Sequence, residues 1–155
     1  MIKQLHVFDF DGTLADSSHR YRLGDNGRID LLHWIANEHK ALDDKPLPLL
    51  ADFVAMQTQK GLFPLIATAR IWCELSKIWA TRNMVDAHII ARRGREDTRG
   101  GAALKIQGVN RLLNLKQFHS VEEIHVYEDN ADYLQEICDY YPNSVAHFIP
   151  SNQGF

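Results

Sequence analysis

The sequence predicts an α/β protein, a Rossmann-like parallel sheet flanked by helices on both faces. Two observations predict it. Short apolar runs rich in β-branched and aromatic residues alternate with stretches whose apolar residues recur at helical spacing, and the polar residues able to do chemistry gather where those runs end. A chain of 155 residues with 45% hydrophobic residues is long enough for one well-buried core, so we expect one domain spanning 1–155.

The elements follow in order. Gln4 to Phe8 reads as the first strand, and its final residues lead into Asp9. Residues 17–45 interrupt the alternation with a polar opening and a short helix around Leu31 to Ile35, and read as a small lid inserted over the strand ends. Leu49, Phe53, Val54 and Met56 form a helical stripe entered through Pro46 and Pro48 and ended at Gly61. Phe63 to Ala67 is the second strand, and Ile71, Leu75, Ile78 and Trp79 mark the helix after it. Ala87 to Ala91 is the third strand, followed by a helix carrying Leu104, Val109, Leu112 and Leu113. Ile124 to Tyr127 is the fourth strand; Tyr133, Leu134, Ile137 and Tyr141 mark a last helix stopped by Pro142, and Val145 to Ile149 a last strand.

Asp9-Phe10-Asp11-Gly12-Thr13 is the most informative stretch. Side chains at i and i+2 of an extended segment point the same way, so both carboxylates can face one reacting group and one metal ion. A strand running into an Asp-Gly turn would also read this way. The four fixed residues of D-x-D-G-T should nevertheless arise by chance only on the order of once in several hundred chains of this length. Three further sites fall at strand ends or helix openings. Thr68-Ala69-Arg70 would place a hydroxyl and the first amides of a helix at the sheet edge. Lys105 lies near the start of the third helix, and Glu128-Asp129-Asn130-Ala131-Asp132 opens the last one. Singly, each also reads as a helix cap or a solvated side chain.

Together, and in this order, Asp9 with Asp11, Thr68, Lys105, and Glu128 with Asp129 resemble the four motifs of the haloacid dehalogenase (HAD) superfamily of phosphotransferases, over nearly the whole chain. The resemblance implies hydrolysis of phosphate monoesters with Mg2+. Asp9 would be the nucleophile that becomes an aspartyl-phosphate, and Asp11 would protonate the leaving alkoxide and then deprotonate the attacking water. Thr68 and Lys105 would bind phosphoryl oxygens, with the amides around Phe10 and Gly12 completing a cradle. Asp9, the Asp11 carbonyl and Asp129 would hold the metal, with Glu128 and Asp132 as alternates or supporting groups. Ala69 and Arg70 would join them in binding the substrate.

A narrower likeness rests on Arg93-Gly94-Arg95-Glu96-Asp97-Thr98-Arg99 followed by Lys105, and on the ending Ser151-Asn152-Gln153-Gly154-Phe155. These are similar to the 3'-phosphatase domain of bacteriophage polynucleotide kinases, and imply removal of 3'-phosphates from nucleic-acid or nucleotide ends, in a host cytoplasm if phage-encoded. The G-x-x-x-x-G-K-[ST] phosphate loop of the kinase half does not occur in this sequence. The acidic pair is Glu-Asp where kinase-linked phosphatases usually carry Asp-Asp, which keeps both residues open as ligands. The short segments 17–45 and 71–104 allow only a minimal cap, and an open site suits a large substrate or an exposed phosphate end. Arg92, Arg93, Arg95 and Arg99 form a basic cluster able to follow a phosphate backbone, with Arg93, Arg95 and Arg99 the candidate contacts.

A formal charge of -3 gives no general attraction to polyanions. No run approaches membrane-span length and the first residues do not read as a leader, so the expectation is a cytoplasmic protein with no membrane partner. Cys73 and Cys138 read as buried free thiols, and the eight histidines show no zinc-ligand spacing. The alternatives carried forward are a phosphatase for a small metabolite or nucleoside monophosphate, and a noncatalytic module that binds phosphate or nucleic acid.

Overall fold

The computed structural model describes residues 1–151, so Asn152, Gln153, Gly154 and Phe155 of the expected terminal motif lie outside the described residues. The strands are β1 (Gln4–Phe8), β2 (Ala15–Asp16), β3 (Lys45–Pro46), β4 (Leu62–Ile71), β5 (His88–Arg92), β6 (Glu123–Glu128) and β7 (Ser144–Phe148). The helices are α1 (Leu31–Ala36), α2 (Leu49–Met56), α3 (Glu74–Arg82), α4 (Gly101–Leu113) and α5 (Ala131–Tyr140). Five strands form one sheet in the order β5-β4-β1-β6-β7, with every neighbouring pair parallel.

Alternation along the central strand builds a core on each side. Leu5 and Val7 of β1 face a cluster shared with Leu104 and Val109 of α4 and with Leu134 and Ile137 of α5. Phe8 faces the other side, where Leu50 and Phe53 of α2 and Trp79 of α3 pack with Phe10. This two-sided burial is why the strands read as nearly continuous apolar runs. No helix among the described residues is long and apolar enough to cross a membrane. Cys73 and Cys138 are free, and both are only partly buried.

The structure departs from the sequence reading around the second strand. β4 runs on through Thr68, Ala69 and Arg70 to Ile71, and α3 starts only at Glu74 after Cys73. Its pairing with β5 passes from Ala67 against Ile90 to Ile71 against Arg92, so the extra residues of β4 bulge out of the ladder. Thr68 is therefore a bulge residue and not a helix cap, and no helical amides open beside it. Residues 17–45, read from the sequence as a lid, hold α1 where a short helix is expected. The ends of this segment are clipped together by the antiparallel pair β2–β3, in which Asp16 faces Lys45.

On the Phe8 side of the sheet, His6, His125 and His147 make a stacked column. The rings of His6 and His125 lie 4.4 Å apart, and those of His125 and His147 lie 5.2 Å apart. Burial, with His125 and His147 nearby, lowers the His6 pKa from 6.5 to about 4. Between those two values the unfolded chain binds the proton that the native His6 refuses, so stability falls as pH drops through this window. Thermal melts from pH 7 to 4 should show that loss, and His6→Gln should flatten the slope. An unchanged slope in the variant would clear His6 of the effect.

Candidate active site

The Asp9 amide donates to the Tyr127 carbonyl at 2.9 Å, prolonging the β1–β6 ladder by one residue. The chain then turns sharply, with the Phe10 carbonyl accepting from the amides of Thr13, Leu14 and Ala15. This turn leaves the Asp9 and Asp11 side chains buried at the carboxyl edge of the sheet. Gly12 is needed there twice over. Its φ is +80°, and a Cβ at this position would run into the Asp129 carboxylate. The Gly12 amide donates to the Ala15 carbonyl at 2.9 Å within the turn. The Phe10 ring is buried edge-on against Trp72 and Trp79.

Lys105 reaches the carboxylates from α4. Its Nζ donates to Asp9 Oδ1 at 2.8 Å and to Glu128 Oε2 at 2.5 Å. Burial opposes the Lys105 charge, but Asp9 and Glu128 outweigh it and raise the lysine pKa above its usual value. Glu128 and Asp129 end β6. Burial first, and the Asp9 charge second, push Glu128 well above the carboxylate range and Asp129 up to about 7. Ligand atoms of Asp9, Glu128 and Asp129 lie within 4.8 Å of one another. Glu128 is taken up by Lys105 and by the Asn130 amide. Asp129 Oδ2 accepts from Ser151 at 2.6 Å, whereas its buried Oδ1 has no hydrogen-bond partner among the described residues. A carboxylate trio with one orphaned oxygen is a donor set that fits a hard divalent cation. Asn130, and not Asp129, caps α5, accepting from the Tyr133 amide. Asp132 is exposed on α5, apart from this cluster.

The β4 bulge delivers the other half of the site. Thr68 is buried, and its Oγ1 accepts from the Arg70 amide at 3.2 Å. Arg70 holds Asp11 with a two-pronged grip, Nε to Oδ2 at 2.9 Å and Nη2 to Oδ1. Burial opposes the Arg70 charge, and Asp11 and Asp44 together override it. Ala69 sits beside them, half-buried.

Asp44 was invisible as a site residue in the sequence, where it is one more acid before the lid ends. In the fold it is a hub. It accepts from Arg20 Nε and Nη2 at 2.8 and 2.9 Å, pairs with His19 at 2.8 Å, and receives Arg70 Nη2 at 3.3 Å. Its carbonyl takes the Trp79 indole at 2.7 Å. Arg20 and Asp44 are both fully buried, and Arg20 lies over the Trp34 ring at 3.9 Å. Only the tertiary fold reveals this network; a buried acid leaves no mark in composition or period.

The arginine cluster divides into two kinds. Arg99 is spent on Asp97, gripping both carboxylate oxygens, and Arg92 on the carbonyls of Asp97 and Arg99. Arg93 and Arg95 are exposed. The loop that holds them is thus pinned by Asp97, whose pKa is lowered chiefly by its hydrogen bonds to Arg99.

Neither a family model nor a curated protein matches this chain. Solved structures do. The chain is similar to the HAD domain of the effector protein Lem4 from Legionella pneumophila, at 17% identity and a TM-score of 0.64, covering 99% of this chain and 88% of that one. It is similar to a chain of a Pnkp1/Rnl/Hen1 complex, at 17% identity and a TM-score of 0.66; the match covers 97% of this chain and 46% of that one, so it spans less than half of the longer protein. A haloacid dehalogenase-like hydrolase from Streptococcus pneumoniae matches at 13% identity and a TM-score of 0.55, over 94% of each chain.

Proposed function

We propose that this chain, whose fold is that of the haloacid dehalogenase domains, is a magnesium-dependent phosphate monoester hydrolase that removes 3'-phosphates from nucleic-acid or nucleotide ends. The observation that carries the reading is the pairing of two buried carboxylates with different partners: Asp9 faces Lys105 and the acidic trio, while Asp11 faces Arg70. Two neighbouring carboxylates in distinct settings are what a nucleophile and an acid–base residue require.

An Asp9 oxygen attacks phosphorus, and the bond to the leaving alkoxide breaks as Asp11 hands that oxygen a proton. Asp11 then takes a proton from water, whose oxygen attacks the aspartyl-phosphate, releasing inorganic phosphate and restoring the Asp9 carboxylate. Thr68 donates its hydroxyl to a phosphoryl oxygen, and Lys105 offsets the charge of Asp9 and the phosphoryl group. Asp9, the Asp11 carbonyl and Asp129 would hold magnesium, Asp129 being favoured over Glu128 by its unpartnered oxygen. Bound there, magnesium neutralises phosphoryl charge. The exposed Arg93 and Arg95 support a polyanionic substrate, as does the structural similarity to a protein of an RNA repair complex.

The test is phosphate release with magnesium from matched oligonucleotides carrying a 3'- or a 5'-phosphate, beside nucleoside monophosphates, with Asp9→Asn as control. At least a tenfold preference for the 3'-phosphorylated oligonucleotide is expected, on the order of 1.4 kcal/mol. Replacing Arg93 and Arg95 with Ala should reduce both oligonucleotide turnover and its salt dependence. Preference for mononucleotides or other small esters would point to metabolite dephosphorylation, and no turnover on any ester would leave a binding module.

A further inference from the structure

Beside the carboxylates lies a cavity of about 640 Å3, a volume within the range of small-ligand pockets. The lid forms one wall through Leu31, Trp34 and Ile35 of α1, and the β4 bulge and the loop after β5 form the other through Ala69, Arg70 and Arg95. Arg70 is shared by the two sites: it lines the cavity and grips Asp11. A group joined to the oxygen that Asp11 protonates therefore has this cavity next to it.

The lid helix itself points to an occupant. α1 reads Leu-Leu-His-Trp-Ile-Ala, yet it buries none of its residues. Leu31 is 63% exposed and Ile35 37% exposed, on either side of Trp34. Leu31 and Ile35 stand exposed and line a cavity beside the reacting groups, while the Trp34 ring carries the Arg20 guanidinium at 3.9 Å. Exposed Arg95 stands at the rim, with Arg93 close by in sequence. An aromatic wall, an apolar rim and a cation at the edge match a flat base attached to a phosphodiester backbone better than a peptide side chain.

We infer that this cavity receives the nucleoside that bears the terminal phosphate, with its base against Trp34 between Leu31 and Ile35 and the next phosphate of the strand at Arg95. The inference rests on the phosphatase reading and names what that site selects. The test is equilibrium binding, in magnesium buffer, of Asp9→Asn protein to fluorescent oligonucleotides that end in a 3'-phosphorylated thymidine or in the same position as an abasic tetrahydrofuran. Base–aromatic stacking predicts about tenfold tighter binding of the thymidine end. Trp34→Leu, and separately the exposed-site double variant Leu31→Ser/Ile35→Ser, should each shrink that ratio to about threefold or less.

Equal affinity for the two ends in the unsubstituted pocket overturns the inference, as does tighter binding of a phosphotyrosine peptide than of the thymidine end. Turnover measured separately on the wild-type protein keeps the two claims apart. Base-dependent binding without turnover of any ester would sink the phosphatase reading alone. Turnover of 3'-phosphates with base-blind binding would sink the cavity assignment alone.

Discussion

Asp9→Asn gives a folded protein whose phosphate release from a 3'-phosphorylated oligonucleotide falls by at least about 10³-fold, because an amide is no nucleophile towards phosphorus. The side chain keeps its shape, so the turn through Phe10 and Gly12 has no reason to move. Lys105 keeps Glu128 at 2.5 Å, which prevents the substitution from stranding a buried cation. The native fold should therefore survive, as circular dichroism and a cooperative melt would show. Acid quenching of the wild-type enzyme with labelled substrate should trap label on the protein, and the variant should carry none. Turnover above about 1% of wild type would remove Asp9 from the nucleophile's place, since a 10²-fold loss falls short of what removing a covalent nucleophile brings.

Asp44→Asn should destabilise the protein by about 3–5 kcal/mol, the usual consequence of taking one partner from a buried ion pair. Arg20 is the stranded group: its side chain is 1% exposed, and its Nε and Nη2 both donate to Asp44. Arg70 would also lose one of its two carboxylates, so kcat should fall with stability, through the looser hold on Asp11. Urea unfolding with and without Arg20→Met separates the causes. Removing the arginine as well should restore part of the stability, because an apolar pair of similar volume avoids the unpaired charge. The kcat defect should persist in the double variant. A loss under about 1 kcal/mol in Asp44→Asn would mean that the hub is not holding the lid.

The sheet was legible in the sequence because a strand buried on both faces prints itself as an apolar run. Gln4 to Phe8 needed nothing more. The end of β4 was misread for a physical reason: Thr68, Ala69 and Arg70 resemble a strand-to-helix turn in composition, and a bulge is a property of pairing with β5, which one segment cannot reveal. Asp9, Asp11, Lys105 and Asp129 stood out through their order along the chain, and the fold brings them to one edge. Arg70 was visible only as a neighbour of Thr68, and its grip on Asp11 required the bulge. Asp44 and Arg20 are separated by a segment whose polar composition reads as surface, and only burial turns them into a pair. Asp132 shows the converse, an acid in a suggestive run that helical geometry carries out to solvent.

On the proposed reaction, the clip of β2 on β3 and the Asp44 anchor bear on what would become of a phosphoryl group on Asp9. Swinging lids shut water out, and a shut chamber lets a chosen hydroxyl compete for the phosphoryl group. Here the lid is fastened at its base, by the pairing of β2 with β3, by Arg20 on Asp44 and by the Trp79 indole on the Asp44 carbonyl. On the proposed reaction, an entrance held in that way would leave bulk water as the most abundant acceptor. The proposed reaction would then end in hydrolysis and not in transfer, a choice made by the carpentry of the entrance as much as by the groups within.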